Sequence, residues 1–177
     1  MNRAVFIMGG NGAGKTTLRM ALVKGVPKEE KVGKSKITIY DNYVLLGNHS
    51  SGTDSLNNRD SFRTCFKEAL KHNRPVLIDG VLASPLWVQA VLESLPIEVF
   101  VFAFKLDLME HLRRLERRTG AITEKKIGSL RSNIGRVHLF IERITNARKT
   151  IEFGLTVTEL DNRITVANKE VVENVLQ

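Results

Sequence analysis

Gly9-Gly10-Asn11-Gly12-Ala13-Gly14-Lys15-Thr16 brings three kinds of chemistry into eight consecutive residues. The glycines let the backbone curl until successive N–H groups converge on an anion. Lys15 supplies an ammonium long enough to reach the β- and γ-phosphates of a nucleotide, and Thr16 a hydroxyl suited to Mg²⁺. Chance would place this pattern, G-x-x-x-x-G-K-[ST], in roughly one chain of this length in 200. The setting lowers that figure, because the apolar run Ala4–Met8 precedes the loop and an amphipathic stretch follows it. Gly9, Gly10, Asn11, Gly12, Ala13, Gly14, Lys15, Thr16 and Thr17 are therefore expected to bind ATP, with Lys15 also acting in catalysis.

A triphosphate site needs an acidic partner for its metal. Val76-Leu77-Ile78 reads as a buried strand that delivers Asp79 to the carboxyl end of a sheet, where open α/β sheets bind their ligands. Thr16 and Asp79 are the expected Mg²⁺ residues. Further on, Arg113, Arg114, Arg117 and Arg118 cluster in one predicted helix with Glu116 as the nearest balance. At 100° per residue they span an arc of roughly 140°, with Leu108, Leu112 and Leu115 opposite. Such a face suits a lid that closes on phosphate, and Arg113 and Arg117 are taken as its contacts. Transfer to a hydroxyl also calls for a carboxylate beside the acceptor. Asp54, in the small polar loop Gly47–Ser55, is the first candidate and Asp41, in a predicted hairpin turn, the second. Arg59 and Arg63, just after that loop, are placed to receive an acceptor's phosphate.

The elements that must position these residues follow from periodicity. Strands are expected at Arg3–Met8, Ile37–Tyr40, Tyr43–Leu46, Pro75–Ile78, Ile97–Phe104, Leu155–Thr158 and Ile164–Ala167. Helices are expected at Lys15–Lys24, Arg59–His72, Pro85–Leu95, Asp107–Arg118, from Thr123 through Phe153, and from Lys169 to Leu176. Lys28–Lys36 reads as a charged connector, and Asp41-Asn42 as a two-residue turn. Asp107 and Thr123 are helix N-caps, and Thr119-Gly120 is a helix stop. Continuous apolar strands alternating with helices give an α/β fold: a doubly wound parallel sheet with helices on both faces. A small β-hairpin insertion and a helical arginine-rich lid at about residues 105–130 complete it.

The 177 residues fit one domain, 1–177. Cys65 is the only cysteine, which excludes an intrachain disulfide and a multi-cysteine zinc site and places the protein in the cytoplasm. It reads as core rather than nucleophile, as do Trp87 and the phenylalanines, and His49 as a surface histidine. No stretch approaches the roughly 18 apolar residues of a membrane span, and no obligate protein partner is inferred. The net charge of +8 and pI of about 9.8 favour a polyanionic partner.

With these segments placed, the chain resembles the bacteriophage P-loop kinases, including the 5-hydroxymethyluracil DNA kinases. The resemblance rests on Gly9–Thr16, on Leu46-Gly47-Asn48 leading to Gly52-Thr53-Asp54-Ser55-Leu56, on Leu77-Ile78-Asp79-Gly80, and on the basic lid helix. It implies transfer of the ATP γ-phosphate to the hydroxymethyl group of a modified base within DNA, in a host cytoplasm, with Asp54 beside the acceptor and Asp79 at the metal. A nucleoside or nucleoside-monophosphate kinase would use the same loop and lid around a smaller acceptor. A nucleotide-switched nucleic-acid-binding module is the alternative from another class. Asn168-Lys169-Glu170 shares two positions with the guanine-reading Asn-Lys-x-Asp, but Val171 stands fourth.

Overall fold

The computed structural model describes residues 2–47, 51–56, 58–80, 96–105 and 107–177. The helix expected at Pro85–Leu95, with Trp87, and the loop residues Asn48 and His49 lie outside them. Among the described residues seven strands form one sheet in the order β2-β3-β4-β5-β1-β6-β7. In chain order these are β1 (Asn2–Met8), β2 (Lys28–Val32), β3 (Ser35–Ile39), β4 (Val44–Gly47), β5 (Val76–Asp79), β6 (Ile97–Phe104) and β7 (Gly154–Leu160). The helices are α1 (Lys15–Leu22), α2 (Arg59–Leu70), α3 (Leu108–Thr119), α4 (Glu124–Ile151) and α5 (Thr165–Leu176).

Strands β4, β5, β1, β6 and β7 run parallel, whereas β2 and β3 add antiparallel at one edge. The pleat sends alternate residues of β1 to opposite faces. Ala4, Phe6 and Met8 join a core closed by α2 and α4, and the Phe6 and Phe140 rings meet at 5.1 Å between centroids. Val5 and Ile7 join the other core, closed by Leu18 and Leu22 of α1 and Val172 of α5. A strand buried on both faces has to read as an uninterrupted apolar run, and β1 does. Cys65 lies in the first core, where burial pushes its thiol up to about 11, so it is packing material as expected.

Two elements differ from the expectation. Lys28–Val32 is a strand rather than a connector, turned back on β3 through Gly33 at φ 62°. Its charges stand on the sheet edge, where Glu29 pairs with Lys36 at 2.9 Å and exposed charge discourages pairing with a further strand. The expected strand Ile164–Ala167 is instead the start of α5. Ile164 and Val166 are 52% and 71% exposed, so their β-branched side chains have no sheet surface to pack on. The Asn168 side chain binds both the N–H and the carbonyl of Asp161, fixing the turn into that helix. The hairpin at Asp41-Asn42 forms as expected, closed by Tyr40 N–H donating to the Tyr43 carbonyl at 2.8 Å, and it belongs to the main sheet. Among the described residues no helix is long and apolar enough to cross a membrane.

Candidate active site

The buried strand β1 ends at Met8, and the chain must then turn sharply to enter α1. Gly12 and Gly14 make that turn at φ 76° and 101°, left-handed values that side chains disfavour. Gly14 occupies the N-cap of α1 without a side chain, and no acidic residue stands in the first turn. By contrast α2, α3 and α4 are capped by Asn58, Asp107 and Thr123 side chains. The α1 terminus thus offers its first amides and the positive end of its dipole outward. It faces a cavity of about 520 Å³ lined by residues 11–17, by Asp79 and Gly80, and by Arg114, Leu115, Arg118 and Thr119.

Lys15 turns its ammonium onto the loop itself, donating to the Gly9 carbonyl at 2.8 Å and the Gly10 carbonyl at 3.1 Å. Burial lowers its pKa, with Asp79 acting in the opposite direction and Arg118 adding to the fall. Asp79 is 4% exposed, and burial raises its carboxyl against the pull of Arg19 and Lys15. Arg19 stands one helical turn beyond Lys15 on α1, its Nη1 3.4 Å from Asp79 Oδ2, with both side chains buried. Thr16 and Asp79 line the same cavity. Among the described residues no group of three or more His, Cys, Asp or Glu gathers to hold a metal. One carboxylate and one hydroxyl fit Mg²⁺, which takes most of its oxygens from water and phosphate, and do not make an all-protein cage.

The remaining wall is the lid. Asp107 caps α3 by accepting from Met109 and Glu110 N–H, which starts the helix against the loop. His111 is fully buried, its Nδ1 3.1 Å from the Asn11 carbonyl. Arg114 Nη1 donates to the Gly12 and Ala13 carbonyls at 3.2 Å each, and α4 adds Asn133, which donates to Asn11 Oδ1 at 2.7 Å. The loop is packed as tightly as it is hydrogen-bonded. A Cβ on Gly10 would stand 3.0 Å from Leu130 Cδ1, and one on Gly9 3.0 Å from the Ala13 Cβ. Gly9 and Gly10 are thus tightly packed, and the cavity lining begins at Asn11.

This packing sorts the four lid arginines. Arg113 is held by Glu110 at 2.7 and 2.9 Å and is 53% exposed at its side chain, and Arg117 is exposed and not part of the cavity lining. Arg114 and Arg118 line the cavity instead. The compensating acid is Glu110, which binds both Arg113 and Arg114, and not Glu116. Asp41 sits where its N–H donates to the Lys24 carbonyl, beyond the C-terminal end of α1 and away from Lys15. Asp54 does not line the cavity. Its loop is tied to β3 by Lys36 N–H on the Thr53 carbonyl and to Gly47 by Ser55 Oγ at 2.8 and 3.1 Å. Gly47 is the register neighbour of Asp79, so the Asp54 loop stands at the next strand end. Arg59 and Arg63 are exposed on α2.

The sequence reading missed His111, Arg19 and Asn133. Two of them carried a signal: His111 falls on the Leu108–Leu112–Leu115 stripe, and Arg19 is i+4 from Lys15. Burial lowers the His111 pKa, opposed by the Asn11 carbonyl and then reinforced by Lys15. A folded-state value below the unfolded value of about 6.5 means the unfolded chain binds more protons in that window. Stability tied to His111 is thus complete above about pH 6.5 and is lost as pH falls below it, at no more than about 1.4 kcal/mol per pH unit. Melting temperatures at pH 8 and pH 5.5 should show this drop in the wild type and a shallower one in His111→Gln. Equal drops would remove His111 from the account.

No family model matches the sequence, and no curated protein matches it either. Among solved structures, a de novo designed P-loop fold protein aligns over 99% of this chain and 95% of its own, at 14% identity and a TM-score of 0.47. A gluconokinase from Sinorhizobium meliloti 1021 aligns over 98% of this chain and 95% of its own, at 14% identity and a TM-score of 0.44. Both scores fall under 0.5, and the reading of the chain rests on its own loop and cavity.

Proposed function

We propose that the chain is an ATP- and Mg²⁺-dependent kinase that moves the γ-phosphate onto a hydroxyl. One observation carries the reading: a glycine loop, an uncapped helix start, Lys15, Thr16, Asp79, Arg114 and Arg118 converge on one cavity of about 520 Å³. Backbone N–H groups of the loop bind and orient the phosphates. Thr16 and Asp79 would hold Mg²⁺, which when bound neutralises charge on the phosphate oxygens. Lys15, Arg114 and Arg118 are positioned to stabilise the charge that grows on the leaving side. The acceptor oxygen bonds to Pγ as the bond from Pγ to the β–γ bridging oxygen breaks, releasing ADP. The acceptor's proton goes to a carboxylate, for which Asp54 is the candidate on the neighbouring strand end.

For the acceptor we propose the hydroxymethyl group of 5-hydroxymethyluracil in DNA. The sequence resemblance supports it, as does a net charge of +8, which favours a polyanion. The test is label transfer from γ-labelled ATP to hydroxymethylated DNA, plain DNA, nucleosides and nucleoside monophosphates, with and without EDTA. Label on hydroxymethylated DNA, abolished by EDTA, is the expected result. Label on nucleoside monophosphates alone would overturn the DNA acceptor and keep the kinase. Label on no acceptor would overturn both.

A further inference from the structure

Helix α4 carries seven lysines and arginines against two acids, Glu124 and Glu142. One helix thus bears a net +5 of the chain's +8. Among the described residues none of the seven cations forms an ion pair. The other helices differ. On α3, Glu110 holds two of the four arginines, and α5 sets Glu170 and Glu173 against Lys169. Charge of one sign gathered on one helix raises a positive potential that a polyanion relieves.

The cations of the exposed face fall into two rows. At 100° per residue, Lys125, Arg136 and Arg143 lie within about 20° of one another, and Arg131 and Lys149 share a line about 120° away. Gly128, Ser132, Gly135 and Leu139 lie between the rows. All of these are exposed except Arg143, which is half-buried. A Cβ on Gly128 or Gly135 would meet nothing within 4 Å, so the floor between the rows is open. No packing accounts for two glycines inside a helix, where glycine is destabilising relative to alanine. Glu142 is the one acid on this face and stands beside the second row. The face begins at the cavity. Lys126 donates to Thr119 Oγ1 at 2.9 Å, and Thr119 is part of the cavity lining.

We infer that the exposed face of α4 is the docking surface for the DNA acceptor, whose phosphodiester backbone lies along the two cation rows. The inference rests on the DNA acceptor proposed above, from which it takes its occupant, and adds the surface that holds it. Lysines and arginines on such a face neutralise phosphates and fix the duplex without reading its bases. A lipid surface does not match the face. A helix that lies in a membrane interface needs an apolar side, and Leu139, 39% exposed, is the one large apolar side chain that α4 exposes among the described residues.

Binding of a fluorescent DNA duplex is read by anisotropy across a range of salt, without ATP, so docking and transfer are measured apart. Lys125→Gln/Arg131→Gln/Arg136→Gln removes three exposed cations from the face and puts a good helix former in each place. Lys28→Gln/Lys31→Gln/Lys34→Gln removes the same charge from β2 and its turn, at the sheet edge opposite β7. The α4 variant should bind about 10- to 100-fold more weakly at low salt, with a slope of log K against log salt shallower by about 2 to 3. The β2 variant should keep its slope within about 1 of the wild type. Both should keep the rise in melting temperature that Mg-AMPPNP gives the wild type. Arg131→Gln and Arg136→Gln alone, each expected to flatten the slope by about 0.9, keep the test open should the triple variant misfold. Equal losses in the two triple variants, or no loss in either, overturn α4 as the surface and leave the DNA acceptor standing. Wild-type protein that fails to bind the duplex, whether or not it binds anionic vesicles, overturns DNA as the occupant. The expected slope difference without label transfer to any acceptor supports the surface and overturns the kinase reading alone.

Discussion

Lys15→Ala should lower phosphoryl transfer by at least about 10³-fold while the protein melts within a few degrees of the wild type. The asymmetry follows from what the side chain touches. Among the described residues its ammonium donates hydrogen bonds to the Gly9 and Gly10 carbonyls alone. The loop keeps its shape through the left-handed glycines, through Ala13 N–H on the Gly10 carbonyl, and through the Arg114 and Asn133 bonds from the lid helices. Arg114 and Arg118 line the same cavity, but Arg114 Nη1 is held on the Gly12 and Ala13 carbonyls, and neither guanidinium replaces an ammonium set on the loop itself. Burial strips water from the Lys15 ammonium, which lowers its pKa and strengthens its attraction to a phosphate. Single-turnover rates with γ-labelled ATP, alongside thermal melts, test both halves. A variant that keeps transfer within tenfold of the wild type would remove Lys15 from the mechanism.

Where neighbours in sequence do the structural work, the chain could be read directly. The apolar run Ala4–Met8, the glycine turn and the spacing of Leu18 and Leu22 fix a strand–loop–helix unit from local chemistry alone. The caps at Asp107 and Thr123 and the turn at Asp41-Asn42 were legible for the same reason. Lys28–Val32 was not, because Lys-Glu-Glu-Lys carries no apolar face and becomes a strand only through its pairing with β3. The β-branched residues around Val166 misled in the opposite sense, since propensity for a sheet counts for little where the side chains stay exposed and find no surface to pack on. Arg19 illustrates the limit at the site. Its helical phase beside Lys15 is visible in the sequence, but the carboxylate it meets lies on a strand 60 positions later.

Exchanging one arginine for its neighbour on α3 tests the same limit with a larger consequence. Arg114→Ala should reduce turnover by about 10²- to 10³-fold, whereas Arg113→Ala should stay within about threefold. Helical periodicity alone cannot rank them, because adjacent residues lie only 100° apart and the arc holds both. The ranking comes from how α3 is rotated onto the loop. His111 is buried against the Asn11 carbonyl, and this turns Arg114 toward the Gly12 and Ala13 carbonyls and leaves Arg113 outside. Glu110 completes the division of labour. Its carboxyl, pulled down to about 2 by Arg113 first and Arg114 second, stays ionised at any physiological pH. It therefore holds Arg113 on the surface and steadies Arg114 through Nε, leaving Nη1 on the loop. Arg114→Lys should recover only a small part of the loss, since a lysine cannot bind Glu110 and the loop at once. Steady-state rates for the three variants decide the matter, and a cost at Arg113 equal to that at Arg114 would return the lid to the arrangement that helical periodicity alone suggested.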